Sequence, residues 1–413
     1  MNYIDLFAGV GGLSEGFKKA GFTPIAHVEL DKAACYTLKT RVAYHYLKAK
    51  KRLPEYIDYL KGFINRDELY RKIPHNVMAS VINAEIAYDN SNTFEQIEGL
   101  LNKKNVDLII GGPPCQAYSL AGRSRNRGMT NDNRNYLYVF YGRFLERYKP
   151  KVFVFENVMG LLSADKGRYI TDLIASFKRI GYNVDFRILD AKNFGVLQSR
   201  KRVILIGWQK SLKRFNYPIF KEVKHSFLVG EVFRDLPSLN AGEGFDKNYN
   251  YSTSITDYLK FGYIRNGIDV LTQHVCRPHT AQDKEIYRIA VEHLQDGKRL
   301  KYTSLPLRLK THKNDRSFFD RFKVVDDKAA FSQTIVAHIS RDGHYYIHPD
   351  IQQNRSLSVR EAARLQSFSD DFYFEGVKEG KNRTAAFKQI GNAVPPLMAT
   401  MIAKKIKTLL NGI

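Results

Sequence analysis

Cysteine is scarce in this chain. Three occur in 413 residues, Cys35, Cys115 and Cys276. So few exclude a disulfide framework and point to a reducing compartment. Long apolar runs are missing as well. No stretch approaches the ~18 residues of a membrane-spanning helix, so no membrane association is expected. The opening "MNYIDLFAGVGG" lacks the basic and apolar regions of a secretory signal. Acidic side chains are short in number: 42 Asp+Glu stand against 65 Lys+Arg, a formal charge of +23. That surplus suits a polyanionic partner, nucleic acid first, with a lysine-rich proteome as the plain alternative. Metal signatures are lacking too. No HExxH occurs, and His274, His279, His312, His338, His344 and His348 are scattered. His27-Val28-Glu29 matches the first half of a zinc-deaminase signature and Pro114-Cys115 begins the second, but Tyr118 stands where its next cysteine belongs. No metal is expected. There is no internal repeat and no low-complexity tract.

What is present is a 44% hydrophobic chain with a strong rhythm in its first half. Apolar, β-rich runs at 3–7, 24–30, 106–112, 151–157, 183–189 and 202–208 alternate with amphipathic stretches such as 13–20 and 93–103. Near-continuously apolar strands separated by helices predict an α/β fold, with a parallel sheet covered on both faces. A charged helical insertion at about 46–80 interrupts the rhythm. After Trp208 the alternation stops, and 210–350 is rich in aromatic and basic residues. Regular patterning returns in a helix at 356–368 and in a final helix after Pro396. The expected organisation is a catalytic domain over 1–209, a second, smaller and irregular domain over 210–384 ending beyond the 356–368 helix, and a segment 385–413 that returns to the first.

Several motifs sit where the strands would end. "DLFAGVGGLSEGF" (5–17) is the first βα turn, where Gly9, Gly11 and Gly12 allow a tight turn and close approach to a ligand. Ser14 stands where a dinucleotide fingerprint has its third glycine, so the phosphate reading is impaired. Glu29 ends the second strand, where a carboxylate accepts ribose hydroxyls. These residues fit an adenosine cofactor, either NAD or S-adenosylmethionine. "GGPPCQAYS" (111–119) follows another strand, and its two prolines stiffen the approach to Cys115. A thiol fixed at the ligand-binding edge of a sheet is a candidate nucleophile once ionised. In "FENV", Glu156 ends an apolar strand, where a carboxylate is expensive unless it binds something. In "QSRKRVILIG" (198–207), Gln198, Arg200 and Arg202 alternate, and a strand would point them to one side, toward carbonyl oxygens or phosphates.

Together these motifs resemble the cytosine-C5 DNA methyltransferases. "DLFAGVGG", "GGPPCQAYS", "ENV", "QSRKR", "RSLSVREAARLQSF" and "QIGNAVPP" stand in that family's order. The resemblance implies a Rossmann-like, S-adenosylmethionine-dependent methyltransferase fold with a mostly parallel sheet, the second domain being the target-recognition domain. It implies that Phe7, Ala8, Gly9, Gly11 and Gly12 wrap the cofactor. Glu29 and Leu30 would hold its ribose side, Glu85 and Ile86 its adenine, with Pro113 and Asn392 completing the site. Cys115, Glu156, Arg200 and Arg202 would be catalytic. Gln116, Ser119, Arg123, Arg125, Arg127 and Arg134 would contact DNA from the loop after the nucleophile. The implied enzyme acts on double-stranded DNA as a monomer in a bacterial cytoplasm, associated with the nucleoid. It would be the modification arm of a restriction-modification system, alongside an endonuclease that reads the same site. Two rivals share the scaffold: a tRNA cytosine-C5 methyltransferase and a non-catalytic DNA-binding regulator. The catalytic residues argue against the regulator, and the long basic region before "SLSVREAARL" favours DNA over tRNA. A nicotinamide dehydrogenase would leave "GGPPCQ" unexplained.

Overall fold

The computed structural model describes residues 1–114, 137–311, 318–380 and 382–412. Its centre is a seven-stranded sheet in the order β3-β2-β1-β4-β5-β7-β6. The strands are β1 (Asn2–Leu6), β2 (Thr23–Glu29), β3 (Val81–Asn83), β4 (Leu108–Gly111), β5 (Val152–Asn157), β6 (Tyr182–Asp190) and β7 (Lys201–Gln209). The first five pair in parallel; β7 runs antiparallel to both β5 and β6. The fold is thus α/β with a mostly parallel sheet, as the alternation predicts. Two details differ from the sequence reading. Strand β3 lies just past the charged stretch and has only three residues, too few to show a period. Helix α2 (Lys32–Ala49) runs unbroken through 46–49, so the inserted helices begin after it, as α3 (Leu53–Lys61), α4 (Arg66–Arg71) and α5 (His75–Met78).

Alternation along the strands fills both faces. Ile4, Leu6, Ile109, Phe153 and Phe155 pack one side with Tyr141 and Phe177. Tyr3, Ile110, Val154, Ile204 and Ile206 pack the other with Phe17 and with Met398 and Ile402 of the last helix, Pro396–Asn411. Each such buried side chain contributes roughly 1.5–3 kcal/mol, an upper estimate on an extended-chain reference. The last helix lies directly on α1 (Gly12–Lys19). A Cβ on Gly16 would sit 2.4 Å from the Cβ of Ala399, and one on Gly12 would sit 2.2 Å from the Val394 carbonyl oxygen. Two glycines of the first turn region therefore serve helix packing.

Strand order reverses between β1 and β4, which places a crevice beyond their carboxyl ends, where open α/β sheets bind ligands. Register aligns Leu6 with Gly111 and Gly111 with Phe155. The residues that follow all three strands therefore meet at one edge. Another apolar cluster joins Val10, Ala34 and Leu197 to Val229, Ile335, Leu357 and Ile390, linking this edge to the irregular region. No helix among the described residues is long and apolar enough to cross a membrane.

Candidate active site

The turn after β1 is built on unusual backbone. Phe7, Gly9 and Gly11 all have positive φ, at 54°, 55° and 83°. Such angles are costly for a residue with a Cβ, so Phe7 is held there by its surroundings: the next amide, Ala8 N–H, donates to the Val28 carbonyl at 3.0 Å. Around the position of a Cβ on Gly9 there is open space among the described residues, whereas Gly11 packs on Leu38. Gly9 therefore leaves a cradle beside the switch point.

Glu29, at the end of β2, closes that cradle. Its two carboxyl oxygens accept from the amides of Gly9 (2.8 Å) and Asp31 (2.7 Å). Burial pushes this carboxyl above its usual range, and the two amides pull partly back. Each oxygen keeps a second lone pair, so a diol can still bind there. Leu30 beside it is 61% exposed, an apolar surface at the crevice. Ile86 is buried and Glu85 exposed, both on the loop after β3. Asp31 caps α2 through the amides of Ala33 and Ala34 and pairs with Lys388 at 2.8 Å. That pair fixes α2 to the helix Arg383–Asn392, which ends on the exposed Asn392.

At the neighbouring strand ends, Glu156 and Arg202 form an ion pair at 2.8 Å, both side chains about 11% exposed. Arg202 is buried at the start of β7, and its guanidinium also donates to the Lys201 carbonyl. Gly112 lies against Glu156: a Cβ there would be 2.7 Å from Oε2. Asn157 then donates to the Pro113 carbonyl at 3.3 Å and ties the buried Pro113 to the same place. Thus the chain leading to Cys115 passes directly over the Glu156–Arg202 pair. Cys115 itself lies outside the described residues, as do Gln116, Ser119, Arg123, Arg125, Arg127 and Arg134. His312 does too.

One sequence expectation is corrected here. Gln198, Arg200 and Arg202 do not point to one side of a strand, because β7 starts only at Lys201. Gln198 and Arg200 lie in the loop before it and are fully buried. Gln198 donates to the Leu365 carbonyl and to Gln366, and accepts from the Ile335 amide. Arg200 donates to the carbonyls of Ile335 (2.6 Å) and Gly391 (3.0 Å). Its guanidinium holds backbone together one residue before Asn392, and Arg202 alone faces Glu156. Gln366, which joins Gln198 to the Ile390 carbonyl at 2.7 Å, was missed by sequence reasoning. Its place at the end of "REAARLQ" was the only available signal.

Known proteins resemble this chain in sequence and in fold. A family model described as C-5 cytosine-specific DNA methylase matches residues 1–60 and 71–408. The type II methyltransferase M.Bpa9945I of Bacillus paralicheniformis is 44% identical over 100% of both chains. M.DdeI of Desulfomicrobium norvegicum, also a type II methyltransferase, is 32% identical over 98% of this chain and 88% of its own. Among solved structures, a protein encoded within an E. coli prophage superposes with a TM-score of 0.65, covering 100% of this chain and 99% of its own. At 23% identity, that likeness speaks for the fold.

Proposed function

Since the chain belongs to the C-5 cytosine-specific DNA methylase family, we propose that it methylates one cytosine within a short duplex sequence, with Cys115 as the attacking group. The family's methyl donor is S-adenosylmethionine, and the described residues fit it. The open cradle at Gly9, the anchored Glu29 carboxylate and the apolar Leu30 and Ile86 would hold an adenosine, while Phe7, Ala8, Gly11, Gly12, Pro113 and Asn392 frame the rest. Glu85 is the acid nearest in sequence to the adenine side. When bound, this donor supplies the electrophilic methyl group that C5 takes up.

Cytosine C5 is a poor nucleophile. Addition of the Cys115 thiolate to C6 forms an S–C6 bond and pushes electron density onto C5, splitting one hard step into easier ones. Glu156 would bind N3 and the exocyclic amine, sharing a proton with N3 as charge builds during addition. Arg202, oriented by Glu156, would meet O2. Loss of the C5 proton and departure of sulfur as thiolate then restore the ring. A stacked base is out of reach of the sulfur, so the target is flipped out at a cost of a few kcal/mol. The +23 surplus suits a grip on the phosphates of that distorted duplex.

The observation that carries this reading is the Glu156–Arg202 pair lying against Gly112, three residues ahead of Cys115. The names of the relatives, type II methyltransferases, support a modification role opposite an endonuclease of the same specificity. Residues 210–350 would read the sequence, with Lys and Arg on phosphates and other side chains on base edges. Bisulfite sequencing of DNA from cells expressing the gene tests this. One short motif should be fully methylated and little else, since a wrong base pair costs ~1–3 kcal/mol. Exchange of 210–350 for the segment of a relative should move the motif. Retention of the original motif by an active chimera would refute the assignment of the reader.

A further inference from the structure

The family model passes over 61–70, and the chemistry above gives that stretch no task. Its packing suggests one. Helices α3 and α4 share a small apolar core with the end of α2, through Tyr56, Tyr59, Leu60 and Leu69. That core also takes in Ile268 and Val270 of the irregular region, and Tyr373. Tyr373 belongs to the connecting stretch, about 369–380, that leads from the irregular region to the helix ending at Asn392.

The connecting stretch is gripped at successive points from α4, α3, α2 and the helix of Asn392. Arg66 donates to the carbonyls of Gly376 (2.8 Å) and Val377 (3.1 Å), and its own amide meets Glu379 at 3.0 Å. Tyr59 O–H and Thr40 O–H donate to Glu375 Oε1 at 2.5 and 2.7 Å. The Glu375 amide donates to Thr37 Oγ1, and Gln389 Nε2 donates to the Glu375 carbonyl, both at 2.8 Å. Gln389 sits on the helix of Asn392. From the irregular region, Lys247 lies 3.7 Å over the Tyr59 ring and 3.3 Å from Glu379, and the Asn248 amide donates to the Leu60 carbonyl. The insertion therefore touches the irregular region, the connecting stretch and α2 together.

We propose that Arg66 is a positioning residue for the methylation reaction. It holds the connecting stretch so that the reading region keeps a fixed setting over the sheet edge when duplex DNA binds. The proposal rests on the reading of 210–350 as the recognition region. Arg66 is 8% exposed, too covered to touch a phosphate itself. Its planar fork serves two successive carbonyls, a geometry that a lysine ammonium does not reproduce. Truncation would leave the buried Gly376 carbonyl short of its donor and loosen the hold of α4 on the stretch. DNA affinity would suffer, because binding would have to reorder the two regions. The cradle at Gly9 and Glu29 is built by β1 and β2 and would stay as it is.

The test uses the full chain and a duplex carrying the motif found by bisulfite sequencing. Arg66→Ala, Arg66→Lys and Tyr59→Phe are compared for duplex affinity, S-adenosylmethionine affinity and amide exchange over 375–379. Arg66→Ala should weaken duplex binding roughly 3- to 30-fold, the usual span of such couplings. Donor affinity should stay within about twofold, and exchange in the stretch should accelerate. Arg66→Lys should recover part of the duplex affinity. If Arg66→Ala fails to fold, Tyr59→Phe carries the same comparison, since it removes one hydrogen bond and leaves no cavity. Unchanged duplex affinity in the folded variant, or equal loss of donor and duplex binding, overturns the proposal. A failed segment exchange would instead strike the recognition reading, and the two failures are distinguishable.

Discussion

The sheet and the region that follows it are held together by different forces. In the sheet, β4 and β5 are buried along their whole length and packed by apolar side chains. In the later region the largest buried side chains include three arginines, Arg355, Arg360 and Arg364, all fully covered. Arg355 forks onto Glu361 at 2.7 and 2.8 Å. Arg364 meets Asp235 at 2.5 Å and Asp370 at 2.6 Å. Arg360 binds the carbonyls of Thr272 and Phe372. These guanidinium groups replace a sheet: they satisfy loop carbonyls and carboxylates that no strand ladder reaches. An apolar layer asks for volume and tolerates exchange. A charge centre asks for a specific donor at a specific place.

Urea denaturation of two near-isosteric exchanges would sharpen that contrast. Arg364→Met removes the buried cation shared by Asp235 and Asp370, leaving them only Arg265 at 3.1 Å and Arg360 at 3.8 Å, and should cost about 3–5 kcal/mol. Ile206→Leu in the sheet should cost less than about 1.5 kcal/mol. Equal costs would erase the distinction.

At the sheet's edge the same comparison reverses, because there polar groups serve chemistry. Glu156→Gln should lower turnover by roughly 10²-fold or more. Donor affinity should hardly move, whereas the urea midpoint should fall because the buried Arg202 loses its carboxylate partner. A large loss of S-adenosylmethionine binding would place Glu156 in the donor's subsite.

Acid should affect the two regions unequally. Burial lowers three histidines of the later region, His274, His279 and His348, to about 4 from an ordinary 6.5, against one beside the sheet, His45 on α2. The unfolded chain therefore binds more protons than the folded one between those values, and stability falls as pH drops from about 6.5 toward 4. Each histidine contributes up to roughly 1 kcal/mol per pH unit across that window. Amide exchange at pH 5 against pH 7 should show the later region loosening ahead of the sheet. Uniform loosening would mean that the histidines do not set the response.

The same division explains what the sequence made legible. The apolar strands were readable because near-continuous apolar runs interrupted by helices leave a pattern. So were Glu29 and Glu156, carboxylates at the ends of apolar runs. Strand β3 is too short for a period. The antiparallel setting of β7 between β5 and β6 arises from long-range pairing that no local signal records. Gln198 and Arg200 were misplaced because alternation suggested a strand where the chain is a loop, tied to Ile335, Leu365 and Gly391 more than a hundred positions away. The grip of Arg66 on Gly376 and Val377 lay equally hidden, since a carbonyl partner carries no residue identity.

The most direct measurement is covalent trapping. A duplex with 5-fluorocytosine at the target position, incubated with the enzyme and S-adenosylmethionine, should yield a denaturant-resistant complex, because fluorine cannot leave C5 as the proton does and the sulfur stays bound to C6. Peptide mapping should place the adduct on Cys115, and Cys115→Ser should form none. A resistant complex with the serine variant, or an adduct mapped to Cys35 or Cys276, would contradict the assignment of Cys115 as the nucleophile.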